Sequence, residues 1–124
     1  DLIIPIPIHR LKLELRGYNQ AELLANPLQK YLGINLKNDI IIRDKLTESQ
    51  NSLSKGNRFS NIADAFRVVN AKELSGASVL LVDDILTTGA TASEGARVLL
   101  RAGARTVKVL TLAAGVMDAA WLDN

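Results

Sequence analysis

Short apolar runs at residues 2–4, 39–42, 79–82 and 106–113 alternate with polar breaks and with stretches of helical spacing, the order of parts expected of an α/β unit. The clearest run is Val79-Leu80-Leu81-Val82. Consecutive branched apolar residues of this kind read as a strand buried on both faces of a parallel sheet. The run passes directly into Asp83-Asp84 and then into a small, hydroxyl-rich turn, Thr87-Thr88-Gly89-Ala90-Thr91. Thr91 with Glu94 three residues later predicts a capping box and a helix over about 92–102. Ala96, Leu99 and Leu100 would pack that helix on the sheet, and Gly103 would end it. Residues 106–113 then supply a further strand and complete a βαβ unit.

Leu2-Ile3-Ile4 predicts a first strand, after which the alternating prolines of Pro5-Ile6-Pro7-Ile8-His9-Arg10 forbid a helix and force an extended or turning path. His9, Arg10, Lys12 and Arg16, opposed only by Glu14, make the next stretch basic, which reads by itself as a solvated loop or an anion contact. Gly17-Tyr18-Asn19-Gln20 marks a break, with Asn19 a helix N-cap and Glu22 three residues on. A helix over about 20–32 follows, which Pro27 should kink or split and Gly33 should end. Residues 39–42 predict a short strand. Between Asp44 and Asn61 no periodic apolar pattern is visible, and the polar composition predicts a long mobile loop, a lid in a compact domain.

Composition narrows the class. A chain of 124 residues, 48% hydrophobic and 23% charged, builds one core, so residues 1–124 are expected to form a single domain. No run approaches the roughly 18 apolar residues of a membrane span and no leader pattern is present, which predicts a soluble, cytoplasmic protein. Without cysteine there is neither a disulfide framework nor a thiolate zinc site in these residues. The net charge of +2 does not argue for nucleic acid, although it suits a phosphorylated ligand. A start directly on an apolar strand suggests that something upstream has been removed.

The chemistry is concentrated after the strand at 79–82. In open α/β sheets ligands bind beyond the carboxyl ends of the strands, where Asp83 and Asp84 are expected. Paired carboxylates there can accept hydrogen bonds from vicinal hydroxyls or share a hydrated cation. Gly89 between small neighbours lets backbone N–H groups approach an anion, and the next helix presents its positive end. In the front half, Arg10 suits phosphate oxygens better than His9, whose type is more often structural.

Residues 79–91 with Glu94 resemble the 5-phosphoribosyl 1-diphosphate (PRPP) signature of the type I phosphoribosyltransferases. Pro5-x-Pro7, Arg10, Arg16-Gly17-Tyr18-Asn19-Gln20, and the loop residues Arg43, Thr47, Gln50, Leu53, Arg58, Asn61, Ala65 and Phe66 narrow the resemblance to the ComF/GntX competence family. That family is itself similar to the transferase domain of glutamine amidophosphoribosyltransferase. The resemblance covers roughly residues 1–113. It implies the type I phosphoribosyltransferase fold, a central, mainly parallel sheet flanked by helices with a long flexible loop. It also implies that Asp83 and Asp84 hold the ribose and that Thr87, Thr88, Gly89, Ala90 and Thr91 hold the 5′-phosphate. Pro7, Ile8, His9 and Arg10 would form the pyrophosphate loop, with Arg43 and Arg58 joining the two aspartates as catalytic residues.

Mg²⁺ would enter with PRPP and water, without a direct protein ligand. The implied function is Mg²⁺-dependent transfer of phosphoribose from PRPP, or a related phosphorylated ribose, to a nitrogen nucleophile with release of pyrophosphate. No aromatic residue or amide cluster can be assigned to the acceptor. The alternative is a non-catalytic PRPP- or nucleotide-binding module in DNA uptake, with single-stranded DNA or competence proteins as partners. Relatives carry an N-terminal zinc ribbon that this chain lacks, and residues 115–124 follow no family pattern.

Overall fold

The computed structural model describes residues 1–44, 65–86 and 89–114. The loop expected at 44–61 therefore falls almost wholly outside the described residues, together with Arg58, Thr87 and Thr88. Chain order is β1 (Leu2–Pro5), α1 (Arg10–Arg16), α2 (Gln20–Leu32), β2 (Asn35–Leu36), β3 (Ile41–Arg43), β4 (Phe66–Val68), β5 (Ser78–Leu86), α3 (Ala90–Arg101) and β6 (Thr106–Ala114). Four strands form a sheet in the order β2-β1-β5-β6, and every pairing in it is parallel. β3 and β4 form a separate antiparallel pair in which Arg43 lies opposite Phe66. The expected α/β architecture, a mainly parallel sheet flanked by helices, is the one observed.

The apolar run at 79–82 is continuous because both faces of β5 are covered. Val79 and Leu81 join Leu2, Ile4, Ile6, Phe66, Leu74 and Leu99 in a core shared with α3. Leu80 and Val82 pack instead with Ile3, Ala25, Leu24 and Leu28, the side covered by α2. α3 sits close to the sheet at Gly95, where a Cβ would stand 2.9 Å from Ile6 Cδ1 and 3.3 Å from Leu81 Cδ2. Pro5 is tolerated in a central strand because β2 pairs only with Leu2 and Ile3, so no ladder bond is lost at Pro5.

The structure departs from expectation in several places. The basic stretch is a helix, α1, which buries no residue. His9 caps it, its Nδ1 accepting from the Leu11 N–H at 3.0 Å, and Gly17 ends it in the left-handed region at φ 85°. Pro27 does not split α2, which runs unbroken from Gln20 to Leu32. Pro27 and Leu23, whose carbonyl loses its partner, are both exposed, so water can reach that oxygen. The capping box at Thr91 does not form, because α3 starts two residues earlier, with Gly89 as N-cap and no side-chain cap. Glu94 turns instead to Arg97, accepting from its Nε at 2.9 Å. Strands β2 and β4 are too short to announce themselves, and β4 is held by its partner β3. Among the described residues no helix is long and apolar enough to cross a membrane.

Gly95→Val should overpack the junction of α3 with β5 and cost about 1–3 kcal/mol. The expected readout is a lower urea midpoint at unchanged slope. An unchanged midpoint would mean that α3 does not press on Ile6 and Leu81.

Candidate functional site

The carboxylate pair does not sit at the tip of β5. β1 pairing stops at Pro5 opposite Val82, and the Ile6 N–H makes a last bond to the Val82 carbonyl at 2.8 Å. β5 continues beside β6 alone as far as Leu86, opposite Ala114. Asp83 and Asp84 therefore lie inside the strand, at the point where its β1 side opens. Pleat parity puts Asp83 on the α3 face with Val79 and Leu81, and its residue exposure is only 8%. Asp84, on the opposite parity, is half-buried. The Asp84 backbone N–H donates to Asp83 Oδ1 at 2.8 Å.

Burial pushes the Asp83 carboxyl up to about 7, helped by hydrogen bonding with Asp84 and repulsion from its charge, and opposed by the Asp84 N–H and by Arg43. Arg43 comes from the far end of β3. Its guanidinium carbon lies 5.3 Å from the centre of the Phe66 ring across the β3–β4 pair. Burial lowers its pKa, and the attraction of Asp83 acts the other way. The strand pair is closed beyond Arg43 by the Asp44 N–H to the Ala65 carbonyl at 2.9 Å. Arg67 grips the Asp44 carboxylate from Nε at 2.6 Å, which with its charge holds that carboxyl below the usual range.

A cavity of about 570 Å³ lies between the turn after β1, the start of α2 and β3; Pro7, Ile8, His9, Arg10, Asn19, Glu22, Asn38, Arg43 and Asp44 are among the residues that line it. The turn expected to meet a pyrophosphate and Arg43 thus share one cavity, and Arg43 also faces Asp83. Asn19 holds the turn in place: its Nδ2 donates to the Ile6 carbonyl and its Oδ1 caps α2 at the Ala21 N–H, each at 3.0 Å. Glu22 does not return to its own helix start but accepts from Asn38 Nδ2. On the other side of the aspartates, Gly89 takes φ 82° to enter α3, bringing Gly89, Ala90 and Thr91 to the helix's first turn. Thr87, Thr88 and Arg58 lie outside the described residues.

Sequence reasoning did not give Asn19 its second role. The repeat of Leu11 with Leu15 and of Lys12 with Arg16 at four-residue spacing was the signal for α1. Among the described residues no group of three or more His, Cys, Asp or Glu side chains converges to hold a metal.

A parallel sheet with its carboxylate pair at the edge of β1, a glycine-led helix start and a facing basic turn defines the class, and the comparisons agree. Residues 18–119 match the phosphoribosyl transferase domain, and the chain belongs to that family. Its sequence relatives within it are of the ComF type. It is 39% identical over 114 residues to Competence protein F of Haemophilus influenzae, covering 91% of this chain and 50% of that protein. It is 38% identical over 112 residues to DNA utilization protein YhgH of Escherichia coli O157:H7, covering 90% and 48%. To Competence protein ComFC of Bacillus subtilis the identity is 35% over 115 residues, covering 90% and 43%. The chain thus spans about half the length of these relatives. A hypoxanthine phosphoribosyltransferase from Staphylococcus aureus shares the fold, with a TM-score of 0.56 at 15% identity over 91% of this chain and 51% of that one.

Asp83 makes stability depend on pH. Its folded pKa of about 7 lies above the ordinary value of 3.8, so its contribution is fully present below about pH 4 and is lost as pH rises through 7. Wild-type protein should therefore lose urea resistance between about pH 4 and 7, and Asp83→Asn should flatten that part of the profile. An identical profile in the variant would show that Asp83 titrates normally.

Proposed function

We propose that this domain binds PRPP and transfers its phosphoribosyl group to a nitrogen nucleophile. The observation that carries the reading is the placement of the carboxylate pair, Asp83 and Asp84, between a glycine-led helix start and a cavity lined by a basic turn. In transfer, the C1–O bond to diphosphate breaks, the leaving oxygen keeps the electron pair, a nitrogen–C1 bond forms and the nitrogen loses a proton. Positive charge develops on the ribose ring meanwhile, so the site has to anchor the sugar, neutralise the leaving group and exclude water.

Asp83 and Asp84 accept the ribose hydroxyls, and their negative charge favours the cationic ring. Thr87, Thr88, Gly89, Ala90 and Thr91 take the 5′-phosphate at the start of α3, where backbone N–H groups and the helix dipole favour an anion. Pro7, Ile8, His9 and Arg10, with Arg43 across the cavity, face the diphosphate. Arg58, which follows β3 in the chain, completes the catalytic set. Mg²⁺, carried by the ligand and water, would supply charge neutralisation at the diphosphate.

The names of the relatives, competence and DNA utilization proteins, favour a second reading, in which the domain binds PRPP or a nucleotide without turnover and handles single-stranded DNA. Pyrophosphate release in a screen of nitrogenous acceptors with PRPP and Mg²⁺ supports transfer. Salt-sensitive oligonucleotide binding that responds to ligand without release supports the second.

Asp83→Asn and Asp84→Asn should each weaken PRPP binding while the domain stays folded. A charge-assisted hydrogen bond is worth roughly 1.5–3 kcal/mol, or about ten- to a hundredfold in affinity. Unchanged affinity in both variants by calorimetry would remove the pair from the site.

PRPP with Mg²⁺ at about a hundred times its Kd should stabilise the protein by roughly 2.7 kcal/mol, a rise of several degrees in Tm. Thr88→Val combined with Gly89→Val should abolish the rise. A rise that survives both substitutions would move the phosphate elsewhere.

A further inference from the structure

The two edges of the four-stranded sheet are unlike. β2, at one edge, has two residues, Asn35 and Leu36, and offers almost nothing for a further strand to pair with. β6, at the other, has nine, Thr106–Ala114. Its register with β5 keeps one offset from Ser78 opposite Thr106 to Leu86 opposite Ala114, so no bulge turns this edge aside. It contains no proline, and Lys108 is its one charged residue. Val109 and Leu110, which point to opposite faces, are 42% and 41% exposed. Among the described residues no strand pairs with its outer side. Proteins ordinarily shorten, bend or charge an edge of this length and apolar character, because its unpaired N–H and C=O groups template a further strand.

We infer that β6 is the surface through which this chain pairs with a second copy of itself, antiparallel, about a twofold axis normal to the sheet. Charge and parity point to a second copy. Directly opposed residues of an antiparallel pair lie on one face, and such an axis keeps the α3 faces of both copies on the same side. Each residue therefore meets one of its own parity, and the axis passes at a residue. At Lys108 it would oppose two ammonium groups, which is unfavourable. At Val109 or Leu110, the exposed apolar positions, it opposes like apolar side chains and offsets the lysines. With the axis at Val109, Lys108 falls opposite the partner's Leu110 and Val107 opposite the partner's Thr111. A strand with one charge among apolar residues is in this way complementary to itself. The carboxylate-bearing end of β5 would benefit, because beyond Val82 its described neighbour is β6 alone. A strand added outside β6 turns that two-stranded extension into sheet interior in both copies. None of this depends on the PRPP reading.

A single pair of edges is smaller than a standard interface, so the dimer should be weak. In sedimentation the whole chain, without ligand, should pass from monomer to dimer between about 1 µM and about 1 mM. Val109→Lys combined with Leu110→Lys should raise the dimer Kd by about tenfold or more, with urea unfolding confirming that the variant is folded. Register is read through disulfides, since the chain has no cysteine. Opposed Cα atoms in an antiparallel pair stand about 4.5–5.5 Å apart, within reach of a disulfide. Either Val109→Cys or Leu110→Cys should therefore give a covalent dimer under mild oxidation. Thr106→Cys, which would lie about 20 Å or more from its own copy, should not. The cysteine variants, kept reduced, should sediment as wild type, and they decide the matter if the lysine variant does not fold. A monomer at about 1 mM overturns the inference, including the case in which another part of the chain covers β6. A dimer that ignores both lysines, or that crosslinks equally at all three positions, also overturns it.

Discussion

The parallel pairing of Leu2–Pro5 with Val79–Val82, covered by α2 on one face and α3 on the other, sets where everything else can be. Strands buried on both faces carry no polar side chains until cover runs out. Here the change comes where Pro5 leaves the sheet and the Ile6 N–H makes its final bond to Val82. One residue later β5 presents Asp83. The carboxylate is still inside the layer between sheet and α3, which is why it gives up its proton reluctantly. A strand that must remain apolar to fold thus delivers its first charged residues at the opening, and position and altered acidity have the same cause.

The segment between β1 and α2 is built by two residues of one short motif. Gly17 stops α1 because it can adopt φ 85° at no steric cost. Asn19 starts α2 and, with its other side-chain atom, ties the turn after β1 to that helix. α1 buries no residue, so these two ends do much to set its direction. Its basic face is consequently directed toward Arg43, at the cost of leaving Leu11 and Leu15 in solvent.

The electrostatics divide by depth. Where Asp44 meets Arg67 the groups are exposed, the pair is satisfied and water screens it, so its value is positional: it closes the β3–β4 pair beside the cavity. Nearer the sheet, Arg43, Lys12 and Asp83 are partly desolvated, and Asp83 and Arg43 act on one another. Perturbed groups of both signs lying close together are enriched at ligand sites.

The amino-acid sequence by itself determined the class of fold and the strand that bears the site, since four branched apolar residues followed by two aspartates and a glycine-centred turn leave few alternatives. It also determined the cap at Asn19 and the stops at Gly17, Gly33 and Gly103, which depend on backbone conformation near each residue. Tertiary structure decided the rest. Whether Asp83 lies at a strand tip or within the strand depends on how far β6 extends beside it, a pairing across more than twenty residues of chain. Thr91 lost its cap because Gly89 could turn first and allow Ala90 and Ala92 to be buried. Pro27 broke nothing because α2 turns it to water, and Arg43 shares a cavity with the turn after β1 only because β3 brings it there. Local propensity is readable along the chain, but which charges meet, and how dry they are when they do, is set by elements distant in sequence.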